Sequence, residues 1–254
     1  MNNIGYELAD ANVDLDKSLA YAQKAVEQTQ ARSLLFGASS PDALKITAEL
    51  AAYWDTLGWV YFRRGDSGKA ESYLRAAWDL SQSATIGDHL AQVYETIGKI
   101  REAEHLYRLA LASSGGDKNE IRQHYQRLTG KRADEGPAVV LGRGNNGTRV
   151  ISPDEELSRV RETKLSSASR RSGSATYAVA FSRGRVDEVS YISGDSSLKF
   201  IADRLASTKF HIEFPGQDPV KLVRRGILMC GTRGCDFVML LPADAAAQAQ
   251  PASR

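Results

Sequence analysis

Residues 51–82 read AAYWDTLGWVYFRRGDSGKAESYLRAAWDLSQ. In each half of this stretch the apolar residues recur three, four or seven positions apart, which is the spacing of one face of an amphipathic helix. The polar sequence Arg64-Gly65-Asp66-Ser67 separates the two halves. The stretch therefore predicts two helices that pack against each other across a tight turn.

The same pattern returns 33 residues further along the chain. Six of seven positions correspond, residue for residue or by size class: Leu57, Gly58, Tyr61, Gly65, Ala70 and Ala77 recur as Leu90, Ala91, Tyr94, Gly98, Ala103 and Ala110, and Gly87 stands at the position of Trp54. Small residues such as Gly58 and Ala91 stand where two helices must approach closely. A fixed period of this size indicates that one helical hairpin is stacked on a copy of itself.

At these positions the chain resembles the tetratricopeptide repeat family, whose pattern is an aromatic residue, Leu-Gly, Tyr and two spaced Ala residues. A degenerate earlier copy is readable in residues 2–28, with Gly5 at the position of Gly58 and Ser18 at that of Ala70. The resemblance predicts an all-α solenoid of helical hairpins over residues 1–130. Because the earlier copy begins within its first helix, we expect this chain to be part of a longer protein.

Two further helices are predicted around these copies. Ser40-Pro41-Asp42 has the composition of a helix start, and the helix that begins there is expected to continue through Trp54. Asp117–Thr129 carries a single apolar stripe among polar residues, which is typical of a helix that covers the open end of a repeat stack, and Gly130 ends it.

The resemblance also implies a ligand groove along the inner helix of each hairpin. The groove positions are Asn2, Tyr6, Asp55, Trp59, Phe62, Arg63, Asp88, Gln92 and Glu95. Exposed aromatic residues ringed by acids would favour a peptide with an apolar anchor and a basic group. Asp55 and Asp88 argue against an acidic carboxy-terminal tail as the ligand. Alternatively, Trp59 and Phe62 pack against the preceding helix of the stack.

Composition excludes several classes of protein. The chain is 42% hydrophobic and 25% charged with a net charge of +2, so it is neither disordered nor globally basic, and we expect no nucleic-acid partner. No apolar run approaches the roughly 18–20 residues that span a bilayer, so no transmembrane segment is predicted. The basic doublets are interpreted as solvated charges: Arg63-Arg64, Lys131-Arg132, Arg170-Arg171 and Arg224-Arg225.

Residues 131–173 lose the helical period and are predicted to form a linker, with a short helix over Asp154–Thr163. Gly142-Arg-Gly144-Asn-Asn-Gly147 matches the glycine fingerprint of dinucleotide sites by letter. That fingerprint needs a helix directly after it, whereas Thr148–Ile151 is β-prone and Pro153 follows. The motif is therefore interpreted as a flexible turn, and no cofactor is expected.

Residues 174–242 predict a small α+β domain. Alternating residues around Tyr177–Phe181 lead through a Gly turn into Val186–Ile192, and the helix that follows is capped by Asp195 or Ser196. Phe210–Phe214 alternates again as a third strand. Residues 222–230 and 235–241 form a closing hairpin, and residues 243–254 are predicted to be a frayed tail.

This order of strands and helix resembles the carboxy-terminal domain of TonB-type energy-transducing proteins over Ala175–Leu241. The resemblance implies a bacterial periplasm or cell envelope and pairing with a short segment of outer-membrane transporters. The chain departs from that family in the insert Gly216–Gly234, which carries Arg224-Arg225 and one of the two cysteines of the chain.

Cys230 and Cys235 bracket a four-residue turn, so the two thiols face each other across a hairpin at bridging distance. A disulfide would indicate an oxidising compartment, and two buried thiols would indicate the cytoplasm. A structural zinc site wants four ligands, and His211 is the only histidine in this half of the chain. A catalytic pair of cysteine and His211 lacks a third orienting group, so neither a metal nor a catalytic residue is expected.

The sequence as a whole predicts a non-enzymatic scaffold that captures a peptide or protein partner in its helical groove, with strand addition at a sheet edge as a further mode. Two alternatives stay open at this stage. The chain is the accessory region of an enzyme whose catalytic domain lies upstream of Met1, or it is a module that associates with itself. The oligomeric state is not predicted.

Overall fold

A computed structural model describes residues 1–132, 139–144, 147–165, 172–232, 234–242 and 245, and for residues 139–144 and 147–150 it describes the backbone alone. The chain forms two compact units. The first comprises Met1–Gln23 with Tyr53–Val160, and the second comprises Lys24–Ala52 with Arg161–Arg254.

Seven helices precede residue 130, and in chain order they are α1 Asn2–Asp10, α2 Leu15–Ser33, α3 Pro41–Arg63, α4 Ser67–Ser81, α5 Ala84–Thr96, α6 Ile100–Ala112 and α7 Lys118–Thr129. The pairs α3/α4 and α5/α6 are the two predicted hairpins. The helix predicted from Pro41 through Trp54 is the single helix α3. The predicted solenoid of helical hairpins is confirmed.

Glycines and acidic caps set the turns between these helices. Gly65 and Gly98 occupy equivalent places in the two hairpins and adopt φ values of 83° and 78°, a conformation that costs other residues free energy. Asp66 then accepts a hydrogen bond from the Lys69 amide and caps α4. Gly130, with φ 70°, ends α7.

Small residues allow the helices of each hairpin to touch. A Cβ atom at Gly58 would lie 2.7 Å from the Leu74 side chain. At Gly87, which takes the place of Trp54 in the repeat, the space is filled by Trp78 and Ala110 instead, each 2.8 Å from the Cβ that a larger residue would add. The second hairpin therefore keeps a close contact between its helices although it lacks the leading aromatic residue.

The predicted linker contains regular structure. It holds the antiparallel hairpin β1 Val139–Gly144 and β2 Gly147–Ile151, the helix α8 Pro153–Arg159 and the strand β3 Glu162–Leu165. The glycine motif of residues 142–147 lies in the β1–β2 hairpin, with residues 145 and 146 outside the described residues, and strand β2 follows it directly. The helix required after a dinucleotide fingerprint is replaced by a strand.

The second unit is built on an antiparallel sheet with the order β3-β7-β6-β4-β5. Its remaining elements are β4 Gly173–Ser182, β5 Arg185–Gly194, a 3₁₀ turn at Ser196–Leu198, α9 Ile201–Ala206, β6 Leu222–Gly231 and β7 Gly234–Met239. Asp195 caps the 3₁₀ turn by accepting a hydrogen bond from the Ser197 amide, as predicted. The predicted class, helical hairpins followed by a small α+β domain, is confirmed.

Residues 24–52 pack on this sheet. Ala38 and Ala43 form one buried cluster with Ala178, Ala180 and Val223 of the sheet. The other face of strand β4 is also buried, through Tyr177 and Phe181. The compact units thus group the chain differently from the predicted domains 1–130 and 174–242, because a segment that links two helical copies in sequence supplies the cover of the sheet.

Side-chain oxygens of the same segment bond to the sheet backbone. The Val223 amide donates a hydrogen bond to Oγ1 of Thr47 (2.8 Å), and the Lys221 amide donates one to Oγ of Ser33 (3.0 Å). The Ala38 amide in turn donates to Oε2 of Glu188 on β5 (3.0 Å). The Thr47 bond satisfies the amide of Val223, which lies in β6 before its pairing with β7 begins at Gly226.

The third strand predicted over Phe210–Phe214 is wrong. These residues have no regular secondary structure, and the alternation of their apolar side chains arises from packing. Phe210 contacts the rings of Phe181 and Phe237 edge to face, with centroids 5.5 and 5.8 Å apart. The carbonyls of Phe214 and Pro215 accept hydrogen bonds from Arg183. The strand that follows α9 is β6.

Candidate functional site

The first unit contains a pocket of about 470 Å³ between helices α1, α3, α5 and α7. Its lining comes from these four helices and from the cap of α7: Tyr6, Asp10, Trp59, Arg63, Thr85, Asp88, His89, Gln92, Asp117, Glu120, Ile121 and His124. Five of the predicted groove residues line it, namely Tyr6, Trp59, Arg63, Asp88 and Gln92. We call this site the acidic pocket, because four carboxylates face one guanidinium and two imidazoles.

Trp59 forms a buried wall of the acidic pocket. Only 4% of its surface is exposed. Its ring stacks on His89 with centroids 4.2 Å apart, and Phe62 lies against it at 5.1 Å. The Arg63 guanidinium lies 5.6 Å from the ring centroid, within cation–π range. Of the two alternatives for Trp59, exposure in the groove or packing against a helix, its small exposed surface and its stacking on His89 of α5 agree with packing.

The indole N–H of Trp59 is buried and has no hydrogen-bond acceptor among the described residues. A buried donor without a partner costs roughly 1–3 kcal/mol. The ring is held here by stacking and packing rather than by its polar atom.

Asp55 does not line the pocket, but it bonds to His89, which does. Nδ1 of His89 is 2.8 Å from Oδ1 of Asp55, and it donates the hydrogen bond because a carboxylate only accepts. Both residues are buried, with 5% and 8% of their surface exposed. Burial opposes protonation of His89, but the attraction of Asp55, Asp88 and Asp10 outweighs it and raises the pKa of the imidazole above its usual value.

Asp88 bonds to two other lining residues, His124 and Gln92. Its Oδ1 accepts a hydrogen bond from Nδ1 of His124 (2.9 Å), and its Oδ2 accepts one from Nε2 of Gln92 (2.9 Å). The bond to Asp88 raises the pKa of His124 against the opposing effect of burial. Glu120 lies 4.0 Å from the other nitrogen of that ring. His124 thus joins α7 to α5 across the pocket.

Two more predicted groove residues have partners elsewhere. Glu95 accepts hydrogen bonds from the Tyr107 hydroxyl (3.0 Å) and from Arg127 (2.9 Å). Burial, followed by the negative charge of Glu95, raises the pKa of Tyr107. Asn2 donates a hydrogen bond to Oγ1 of Thr56 (3.1 Å). Neither Glu95 nor Asn2 lines the acidic pocket.

The electrostatic field at the pocket is negative. Burial and the nearby carboxylates, Asp10 first among them, raise the pKa of Tyr6 to about 12. A phenol resists ionisation where negative charge is already concentrated. Asp10 and Glu120 are exposed and stand at the mouth, so a ligand that enters first meets carboxylates.

Seven of the twelve residues that line the acidic pocket were not among the predicted groove residues, namely Asp10, Thr85, His89, Asp117, Glu120, Ile121 and His124. The 33-residue register pairs Asp88 with Asp55, and His89 follows directly, which is the one local signal that pointed to it. Nothing in the sequence brings His124, which is 36 residues from Asp88, to that carboxylate.

In the second unit, Cys230 and Cys235 are paired across the β6–β7 hairpin and their sulfurs are bonded, 1.99 Å apart. His211 is exposed, and its Nε2 lies 3.3 Å from Oε1 of Glu213. Among the described residues, no group of three or more His, Cys, Asp or Glu side chains is arranged to hold a metal ion.

Comparison with known proteins identifies the first unit's central hairpin. The sequence model of the tetratricopeptide repeat family matches residues 51–83, which cover α4 and the second half of α3. The chain therefore contains a tetratricopeptide repeat segment, a type of helical hairpin that generally mediates protein–protein interaction. No match was found among curated proteins or among solved structures.

The resemblance of residues 175–241 to a TonB carboxy-terminal domain stays a prediction. In the part of the chain that the structure describes, no helix is both long and apolar enough to cross a bilayer.

Proposed function

We propose that this protein is a non-enzymatic interaction module that binds a protein partner by receiving a basic side chain in the acidic pocket. The observation that carries the proposal is the charge of the pocket in the helical unit. Asp10, Asp88, Asp117 and Glu120 line it, and Arg63 is the one permanent cation among its lining residues. The tetratricopeptide repeat segment, whose family generally binds proteins, supports the same conclusion.

The geometry favours a cationic group over an apolar anchor. Trp59 is 4% exposed and lies against His89 and Phe62, so it offers the ligand little apolar surface, and Phe62 does not line the pocket. Tyr6 is half-buried and lines the pocket, and its ring face attracts a cation. An arginine or lysine side chain can pair with the carboxylates and also lie against the ring of Tyr6.

Charge reversal at the pocket mouth tests this proposal. Asp10→Lys should weaken binding of a fluorescein-labelled hexa-arginine peptide on the order of tenfold at low salt, as measured by fluorescence anisotropy. The matched control is Glu7→Lys, which makes the same charge change at an exposed position of α1 that does not line the pocket.

An equal loss of peptide affinity in Asp10→Lys and Glu7→Lys would show that only the overall charge of the protein matters. It would refute the acidic pocket as the binding site. A labelled hexa-glutamate peptide that binds as tightly as hexa-arginine would refute it as well. Sedimentation velocity of the unliganded chain examines the alternative of self-association, which predicts a mass that rises with concentration.

The compartment is part of the proposal. The bonded sulfurs of Cys230 and Cys235 support an oxidising environment such as a periplasm or cell envelope. Thiol titration of protein isolated without reductant should find no free thiol in the unfolded chain. Two free thiols would place the protein in a reducing compartment instead.

A further inference from the structure

Two imidazoles share the acidic pocket with its carboxylates. His89 and His124 both line it, and each holds a carboxylate through Nδ1, at 2.8 Å from Asp55 and 2.9 Å from Asp88. Since Nδ1 is committed as a donor in each ring, Nε2 is the nitrogen that gains or loses the proton. The charge of the pocket therefore depends on two titrating groups that belong to its wall.

The surroundings of His124 favour its charged form. Asp88 faces it from α5, Glu120 and Arg127 from its own helix, and the Tyr107 ring from α6 at a centroid distance of 6.0 Å. Two carboxylates thus oppose one guanidinium at this imidazole.

The surroundings of His89 are similar. The carboxylates that act on it are Asp55 of α3, Asp88 of its own helix and Asp10 of α1. Tyr6 of α1 lies 6.0 Å from it between ring centroids, and Arg63 lines the same pocket. Its ring stacks on Trp59, so any charge that His89 gains lies against the indole ring of Trp59.

We propose that protonation of these two histidines releases a basic partner from the acidic pocket, so that the site binds tightly at alkaline pH and weakly at acidic pH. This inference rests on the proposed function. Each protonation adds one positive charge beside the position that an incoming guanidinium would occupy, and like charges within a few ångströms repel. The partner's arginine does not lose its own charge over this range, so the change in affinity belongs to the protein.

The pKa of both imidazoles is raised, which places the transition above the usual histidine value of about 6.5. Both rings are charged below pH 6.5, and they lose that charge as the pH rises through their raised pKa values.

The test measures hexa-arginine binding by fluorescence anisotropy at pH 6 and pH 9 and constant ionic strength. We expect the dissociation constant of the wild type to be on the order of tenfold higher at pH 6 than at pH 9. His124→Asn keeps a neutral N–H donor for Asp88 and should reduce that ratio to half or less. The matched control His105→Gln replaces a histidine that bonds to Glu156 and does not line the pocket, so it should leave the ratio unchanged.

The outcomes separate the two proposals. Binding that is equal at the two pH values in the wild type, or a ratio unchanged by His124→Asn, overturns the histidine mechanism and leaves the pocket standing. Absence of binding at both pH values overturns the proposed function and this inference together. If circular dichroism shows that His124→Asn has lost helix content, NMR titration of the imidazoles in the wild type tests the histidine mechanism instead. The binding midpoint must then coincide with the proton uptake of His89 or His124.

Discussion

At the scale of single residues, the acidic pocket is made by side chains that are buried as well as polar. Asp55 and Asp88 are almost wholly covered, yet each has a hydrogen-bond donor within 3 Å. A buried carboxylate is tolerated when it is bonded in this way. The histidines are therefore structural partners of the carboxylates as well as titrating groups.

The contribution of Trp59 is expected to come from packing rather than from ligand contact. Trp59→Ala should lower the free energy of unfolding by about 3–5 kcal/mol, since a covered aromatic side chain leaves a cavity. Trp59→Phe should cost less than about 1.5 kcal/mol, because it keeps much of the ring and removes the unpartnered N–H. Urea denaturation followed by circular dichroism measures both, and equal losses in the two variants would refute a packing role.

The bond between His124 and Asp88 should make stability depend on pH. The folded-state pKa of His124 is raised, so its stabilisation is complete below the unfolded value of about 6.5 and is lost as pH rises through the folded value. The wild type should therefore exceed His124→Asn in free energy of unfolding by more at pH 6 than at pH 9. Urea titrations at the two pH values measure this difference, and a larger excess at pH 9 would contradict it.

At the scale of elements, helix α3 serves both compact units. Its second half carries the repeat positions Trp54, Leu57 and Gly58, and its first half carries Thr47, which bonds to the sheet. The periodic pattern predicted the helix, because apolar spacing is a local property. It did not predict which side chains of the first half bond to a strand 176 residues away.

Thr47 is expected to matter through its hydroxyl. Thr47 is 1% exposed and accepts the hydrogen bond of the Val223 amide. Thr47→Val keeps the shape but leaves that amide without a partner, so it should destabilise the fold by about 1–3 kcal/mol. Thr47→Ser retains the oxygen and should restore most of the loss. Thermal unfolding measures the stability of the wild type and the two variants. Equal stability of Thr47→Val and the wild type would exclude a stabilising role for the hydrogen bond.

At the scale of the whole molecule, the chain order and the compact units do not coincide. The sheet of the second unit buries Ala178, Ala180 and Val223 against residues 24–52, which precede it by more than a hundred positions. The predicted domain 174–242 therefore lacks one of its two covering layers. Long-range packing of this kind leaves no mark in local sequence periodicity.

A chain consisting of residues 131–254 alone should consequently fail to form a rigid fold. Its sheet would expose an apolar face that the full chain covers, so it should bind the dye ANS strongly and unfold without a cooperative transition. The full-length protein is the control. A cooperative transition in the fragment with no ANS binding would show that residues 24–52 are dispensable for the sheet.

The sequence by itself determined the elements that rest on local patterns. The 33-residue repeat predicted helices α3 to α6, and the alternation of apolar residues on either side of a glycine turn predicted the β4–β5 hairpin. The same local rule failed at Phe210–Phe214, where alternating aromatic residues fill space beside Phe237 instead of pairing as a strand. Alternation records which side chains are buried, and it does not record whether the backbone finds a neighbour.

The tertiary structure alone decided what surrounds each functional group. In the folded protein His89 stacks on Trp59, His124 bonds to Asp88, and residues 24–52 pack on the sheet. Each of these contacts joins residues that are distant in sequence, and its formation depends on how the helices and strands pack. Spacing along a chain specifies the period of a helix or strand, whereas the chemistry of a pocket depends on which elements meet there.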